Sequence, residues 1–301
     1  MRRLATTIAL LGISTALACG RGESPTPPTP SPVVSVPRDG RTESFDGLSI
    51  AYTVSGSGDG ALVFVHGWSC DRGYWEAQVE DLSPDFRVVT IDLAGHGDSG
   101  SERTDWSVEA FGRDVEAVVD DLGLESVILV GHSMGGFVAL EAARRMPGRV
   151  AGVIGVDTLH DVELRYPDEA WKQILDGLGR DFRGACDGFV RGLFPPSADP
   201  ELVTEVAGDM CAAPPAVGIA TLRAASVYDA AAGADAAGVP LRCINGTTFP
   251  TNVETNRKHV PDFDVYRMDG VGHFPMLERP DEFNRLLRQA VEELTASRTT
   301  G

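Results

Sequence analysis

Hydrophobic and polar positions along this chain follow two different periods, and the switches between them lay out an α/β domain. Short apolar runs at Leu62 to Val65, Val88 to Ile91, Val127 to Val130, Val153 to Val156 and Leu241 to Ile244 are bounded by turn residues and have no polar face. That is the pattern of strands covered on both sides of a parallel sheet. Ser49 to Val54 alternates instead, as a partly exposed strand does, and a last strand is expected near Val265 to Met268. Val108 to Leu122, with Ser107 as N-cap, Phe137 to Arg145 and Glu282 to Leu294 repeat apolar residues at helical spacing. Strands alternating with helices in this way predict a mostly parallel sheet flanked by helices.

The rhythm breaks in two places. Residues 158–235 hold short helical patterns punctuated by Pro195-Pro196, Pro214-Pro215 and glycines, with no strong strand, and read as a helical cap inserted between core segments 41–157 and 236–301. A cap above strand ends shapes a pocket and excludes water. At the other break, residues 1–18 read as a signal peptide: Arg2 and Arg3, the apolar stretch Leu4 to Leu17, and Ala16-Leu17-Ala18 directly before Cys19. This arrangement resembles a bacterial lipoprotein signal, which implies that Cys19 is acylated and becomes the mature N-terminus. An ordinary secretory peptide is the other reading. Residues 19–40, rich in Pro, Ser and Thr, cannot bury a core and read as a tether. The expected location is exported and membrane-anchored, on the periplasmic or cell-surface side, with the lipid bilayer as partner through Cys19.

Composition narrows the function classes. The chain has 301 residues, 43% of them hydrophobic, and a net charge of −18 that offers no basic stripe to phosphates. Nucleic acid is therefore not expected as a partner. Cysteines remaining after Cys19 would meet oxidising conditions on export. Cys186 and Cys211 both fall in the cap and form a candidate disulfide, while Cys243 lies within an apolar strand. No Cys-x-x-Cys or grouped His/Cys spacing points to zinc, and no metal or organic cofactor is expected.

The candidate chemistry begins at Gly131-His132-Ser133-Met134-Gly135, directly after an apolar strand. A serine hydroxyl is a weak nucleophile unless a sharp turn exposes it, a base stands beside it and N–H donors lie nearby. Glycines two residues to each side leave room for such a turn. Further segments follow the same logic: Val63-Phe64-Val65-His66-Gly67-Trp68, Asp92-Leu93-Ala94-Gly95-His96-Gly97-Asp98-Ser99, and Gly270-Val271-Gly272-His273-Phe274-Pro275. Together they resemble the α/β-hydrolase superfamily over about residues 42 to 296. The resemblance implies a mostly parallel eight-stranded sheet, Ser133 as nucleophile, His273 as general base, and an oxyanion hole made by the backbone N–H groups of Trp68 and Met134. Those two side chains are also candidates to line the acyl pocket, as are the cap aromatics Trp171, Phe182, Phe189 and Phe194. The residues of the Asp92 to Ser99 loop, His96 and Asp98 included, are expected to be structural. His132 belongs to the turn, and His160 and His259 have no evident partner.

The acid departs from the commonest family pattern. Its usual position, three residues after the glycine ending Leu241-Arg242-Cys243-Ile244-Asn245-Gly246, holds Phe249, and Gly246 to Val253 contains no carboxylate. Asp157, ending the strand Val153 to Val156, is the expected replacement, because its side chain emerges at the same sheet edge as Ser133. Some family members, including haloalkane dehalogenases, carry the acid there. Glu254, Asp262 and Asp264 are the rivals. A serine nucleophile disfavours the dehalogenase and epoxide hydrolase chemistries, which use aspartate. The expected activity is hydrolysis of a small carboxylic ester or lactone through an acyl-enzyme. Amidase, thioesterase, C–C hydrolase and cofactor-free peroxidase chemistry stay open, as does a non-catalytic lipid-anchored binding protein.

Overall fold

The computed structural model describes residues 36–58, 60–165 and 167–299. The signal segment, Cys19 and nearly all of the tether lie outside the described residues. The strands are β1 (Arg38–Glu43), β2 (Ser49–Ser55), β3 (Ala61–Val65), β4 (Arg87–Ile91), β5 (Val127–His132), β6 (Val150–Val156), β7 (Leu241–Gly246) and β8 (Phe263–Met268). They form one sheet in the order β1-β2-β4-β3-β5-β6-β7-β8. The pairs β1–β2 and β2–β4 are antiparallel, and every later pair is parallel. The helices are α1 (Glu76–Leu82), α2 (Val108–Asp121), α3 (Met134–Arg145), α4 (Asp168–Arg180), α5 (Phe182–Arg191), α6 (Pro200–Met210), α7 (Pro215–Val227), α8 (Ala230–Ala237), α9 (Val253–His259), α10 (Pro275–Glu278) and α11 (Pro280–Thr299).

The central strands explain the apolar runs. Every residue of β3 and β5 is buried, so neither strand has a face to give to solvent. Helix α2 starts where its cap residue predicts: the Ser107 hydroxyl accepts the Ala110 N–H at 3.1 Å. Because the parallel strands all point one way, the loops leaving β3, β5, β6, β7 and β8 gather at one edge. That edge is where an open α/β sheet offers a binding crevice.

Two boundaries differ from those expected. The strand β1 begins at Arg38, inside the residues read as tether, because it is a polar edge strand held by pairing to β2 rather than by an apolar pattern. Helix α8, mostly within residues read as cap, packs on α3 as a crossover helix before β7. The Tyr228 hydroxyl, just ahead of it, donates to Glu141 of α3 at 2.9 Å. The cap is thus α4 to α7, with α5 and α6 joined by the Cys186–Cys211 disulfide.

A buried ion pair fastens the sheet's antiparallel end to α2. Arg103 donates to both oxygens of Asp114, at 2.6 and 2.8 Å, and neither side chain is exposed. Ser44 and Asp46, just after β1, complete the cluster. Asp114→Ala removes two charge-assisted hydrogen bonds and leaves Arg103 with Asp46 as its remaining carboxylate, so a loss of about 1.5–3 kcal/mol in unfolding free energy is expected. Urea denaturation checks this, and a loss under about 1 kcal/mol would show that the pair is incidental.

Candidate active site

Ser133 stands between the last residue of β5 and the first of α3, at φ +52°. Few non-glycine residues adopt such a backbone, and here the surroundings leave no alternative. A Cβ on Gly131 would lie 2.2 Å from the Gly135 carbonyl oxygen, and one on Gly135 would lie 2.4 Å from that of Val65. Both glycines are therefore demanded by contact with backbone. The turn is held from the neighbouring strand, as Ser133 N–H donates to the Val156 carbonyl at 3.0 Å and Thr158 Oγ1 donates to the Ser133 carbonyl at 2.8 Å.

One strand over, the chain makes a second such turn. Asp157 follows β6 at φ +42° and is 4% exposed. Its Oδ1 accepts the Gly246 N–H at 2.9 Å and its Oδ2 accepts Nδ1–H of His273 at 2.6 Å. Burial alone would raise this carboxyl, but its contacts with His160 and His273 outweigh burial and hold it well below the usual carboxylate range. The structure thus joins His273 and Asp157 directly and brings Ser133 to the same edge. None of the rival acids has this position: Glu254 is exposed on α9, Asp262 pairs with Arg242 at 2.9 Å, and Asp264 faces Arg257 at 3.7 Å.

The His273 loop is braced on three sides. The Glu278 carboxylate accepts the N–H groups of Gly272 and Phe274 at 2.9 and 3.1 Å. His132 Nε2–H donates to the His273 carbonyl at 2.8 Å. Burial, with His273 nearby, pushes the His132 ring down to about 3, so it remains a neutral strut. From the cap, the Leu193 carbonyl accepts His273 N–H at 3.0 Å, and Phe194 stacks on Phe274 with centroids 4.9 Å apart.

The loop after β3 lies against the serine turn, since a Cβ on Gly67 would stand 3.3 Å from that of Ser133 and 2.7 Å from His132 Nδ1. Trp68 comes next, and Met134 opens α3, whose first-turn N–H groups have no acceptor one turn back. Two buried neutral histidines shape this loop. His66 bridges its own loop to Leu93 N–H, and His96 accepts Ser69 N–H at 3.3 Å. Desolvation pushes them down to about 4 and about 3, respectively. Asp98 and Asp92 share Arg72, tying the next loop to the same corner. The indole of Trp68 turns to the cap: its N–H donates to the Gly218 carbonyl of α7 at 2.7 Å, and Phe182 and Phe189 meet its ring edge-on.

Residues 60–198 match the family model for the alpha/beta hydrolase fold. The backbone superimposes on a thermophilic esterase from Thermogutta terrifontis with a TM-score of 0.75, at 24% identity, over 85% of this chain and 99% of that one. The chain has the α/β-hydrolase fold. An esterase from Rhodococcus is similar at 25% identity and a TM-score of 0.72, over 85% of this chain and 99% of that one. In sequence, a non-heme chloroperoxidase from Streptomyces lividans is 34% identical over 152 residues, which are 48% of this chain and 54% of that one. The chain spans from under a third to about half of the length of the first curated relatives it matches.

Within this α/β-hydrolase fold, a second histidine that the sequence did not single out stands beside Asp157. His160 Nε2 lies 3.5 Å from Asp157 Oδ1, and Asn245 and Thr251 stand behind the ring. No sequence signal marked His160, because its partners come from β7 and the loop after it. His259, also without an expected partner, bridges Asp235 and Glu163 at 3.0 and 3.1 Å, away from the site.

The depressed Asp157 carboxyl implies a pH dependence of stability. Its folded value lies below the unfolded one near 4, so the stability it contributes is complete above about pH 4 and is lost as pH falls through the folded value. The stability gap between wild type and Asp157→Asn is therefore expected to narrow from about pH 5 to about pH 2.5. Denaturation series at both ends of that range measure it, and a constant gap would contradict the assignment.

Proposed function

We propose that the protein is a serine hydrolase of small carboxylic esters or lactones, with Ser133 as nucleophile, His273 as general base and Asp157 as the acid. The observation that carries this reading is the 2.6 Å Asp157–His273 hydrogen bond at the sheet edge where Ser133 is turned out. Asp157 accepts Nδ1–H and so leaves Nε2 of His273 unprotonated and free to act as base. His273 Nε2 takes the Ser133 proton as Oγ attacks the acyl carbon, and the Trp68 and Met134 N–H groups hold the developing oxyanion. The imidazolium then protonates the departing alkoxide. Water, deprotonated by the same histidine, attacks the acyl-enzyme, and collapse of the second tetrahedral intermediate returns the proton to Ser133 and releases the carboxylic acid. The likeness to the Rhodococcus esterase favours an ester over an amide or thioester.

The likeness to a non-heme chloroperoxidase favours a second reading of the same site, with hydrogen peroxide as acyl acceptor. One peroxide oxygen would attack the acyl-enzyme, its proton passing to His273, and collapse would free Ser133 and a peracid. This variant needs no cofactor.

A fluorophosphonate probe is expected to label wild type at Ser133 and to leave Ser133→Ala unlabelled. Absence of labelling in folded wild type would favour a lipid-anchored binding protein instead. Asp157→Asn should fold while turnover of p-nitrophenyl esters drops by about 10⁴-fold, the cost of the wrong histidine tautomer in serine proteases.

We infer further that Cys19 is acylated and anchors the catalytic domain to a membrane through the tether. Several acyl chains on one residue give stable anchoring where one gives marginal binding. Cys19→Ser is expected to move the protein from the membrane to the soluble fraction on cell fractionation, and unchanged membrane association would sink this inference.

A further inference from the structure

The acid of this site is flanked by two histidines, and the mechanism uses one of them. Asp157 presents Oδ2 to His273, while its Oδ1 faces Gly246 N–H at 2.9 Å and His160 Nε2 at 3.5 Å. The last distance is at the outer edge of hydrogen-bond range, and Nε2 has no closer partner among the described residues.

The other side of the ring is also held by polar groups. The Asn245 amide is oriented by Thr158, since its Oδ1 accepts Thr158 N–H at 3.3 Å and its Nδ2 donates to the Thr158 carbonyl at 3.2 Å. That amide nitrogen, a donor only, stands 3.3 Å from His160 Nδ1 and 3.0 Å from Thr251 Oγ1. Thr251 Oγ1 is itself 3.3 Å from Nδ1. The carboxylate of Asp157 can only accept, so a ring proton belongs on Nε2, aimed at Oδ1, while Nδ1 faces the Asn245 amide nitrogen, which only donates, and the Thr251 hydroxyl, which can do either. The ring edge also meets Phe249, which occupies the family's usual acid position, with centroids 5.9 Å apart. The groups facing His160 are therefore Asp157 from the turn after β6, Asn245 from β7, and Phe249 and Thr251 from the loop beyond. Asp157 is the one charged group among them.

We propose that His160 is a positioning residue for Asp157: with Nε2–H aimed at Oδ1, it restrains that oxygen so that Oδ2 stays aligned with Nδ1 of His273. This rests on the serine hydrolase reading of the site.

His160→Phe keeps the ring and removes both nitrogens, whereas His160→Gln restores an N–H donor. In His160→Phe, kcat for a p-nitrophenyl ester should fall about 10-fold with KM unchanged, the scale of one hydrogen bond to a charged group. His160→Gln should recover most of the lost kcat. The downfield proton resonance of the Asp157–His273 bond, read by NMR without turnover, should weaken in His160→Phe and return in His160→Gln. Wild-type kcat in His160→Phe would overturn the proposal, and so would equal losses in both variants with the resonance unchanged. If His160→Phe does not fold, His160→Gln decides: near wild-type kcat supports the role, and a 10-fold loss in folded protein overturns it. Failure of wild type to label with fluorophosphonate would instead overturn the hydrolase reading, a result separable from any of these.

Discussion

The hydrogen bond between Asp157 and His273 links residues 116 positions apart, and the surrounding architecture is arranged to make it possible. Each partner leaves the sheet at the same edge only because β6 and β8 run parallel with β7 between them. A charged carboxyl that is 4% exposed survives there because the Gly246 N–H of β7 and the His273 imidazole replace water it loses. The 2.6 Å contact in turn fixes which nitrogen of His273 bears a proton. Misalign the sheet by one residue, and the carboxylate would point to the opposite face.

Much of this was legible in the chain. The apolar runs of β3 to β7 are buried on both faces, so burial itself writes the pattern that announces them, and Ser107 marks the start of α2 within the residue. The edge strand β1 was not legible, since a polar strand held by pairing leaves no periodicity to read. The turn at Ser133 and the loop at His273 were visible because local sequence dictates each: glycines that admit no Cβ in one, a short loop leading into Pro275 in the other. His160 was invisible for the opposite reason. Its role exists only once β6 and β7 are neighbours, so its meaning is tertiary, as is that of Asn245.

The surroundings of Asp157 clarify what β7 does in this chain. The end of β7 supplies the Gly246 N–H and the Asn245 amide, directed back toward Asp157 and its neighbour His160. Two adjacent strand ends thus divide one task, with β6 carrying the charge and β7 carrying the dipoles that hold it. The positive φ at Asp157 belongs to the same arrangement, because it swings the side chain across toward β7. Ser133 is strained in the same sense one strand away, so the site consists of two tight turns side by side, each braced by Thr158 and by its neighbouring strand.

The cap reaches this machinery through main-chain contacts as well as through packing. The Leu193 carbonyl is bonded to the backbone of His273, and Gly218 of α7 holds the indole of Trp68, beside the proposed oxyanion donors. Covering and reacting parts are therefore mechanically one object. A change in how α5 or α7 rests on the core thus reaches the backbone of His273 and the indole of Trp68 directly, through two main-chain carbonyls rather than through side chains alone.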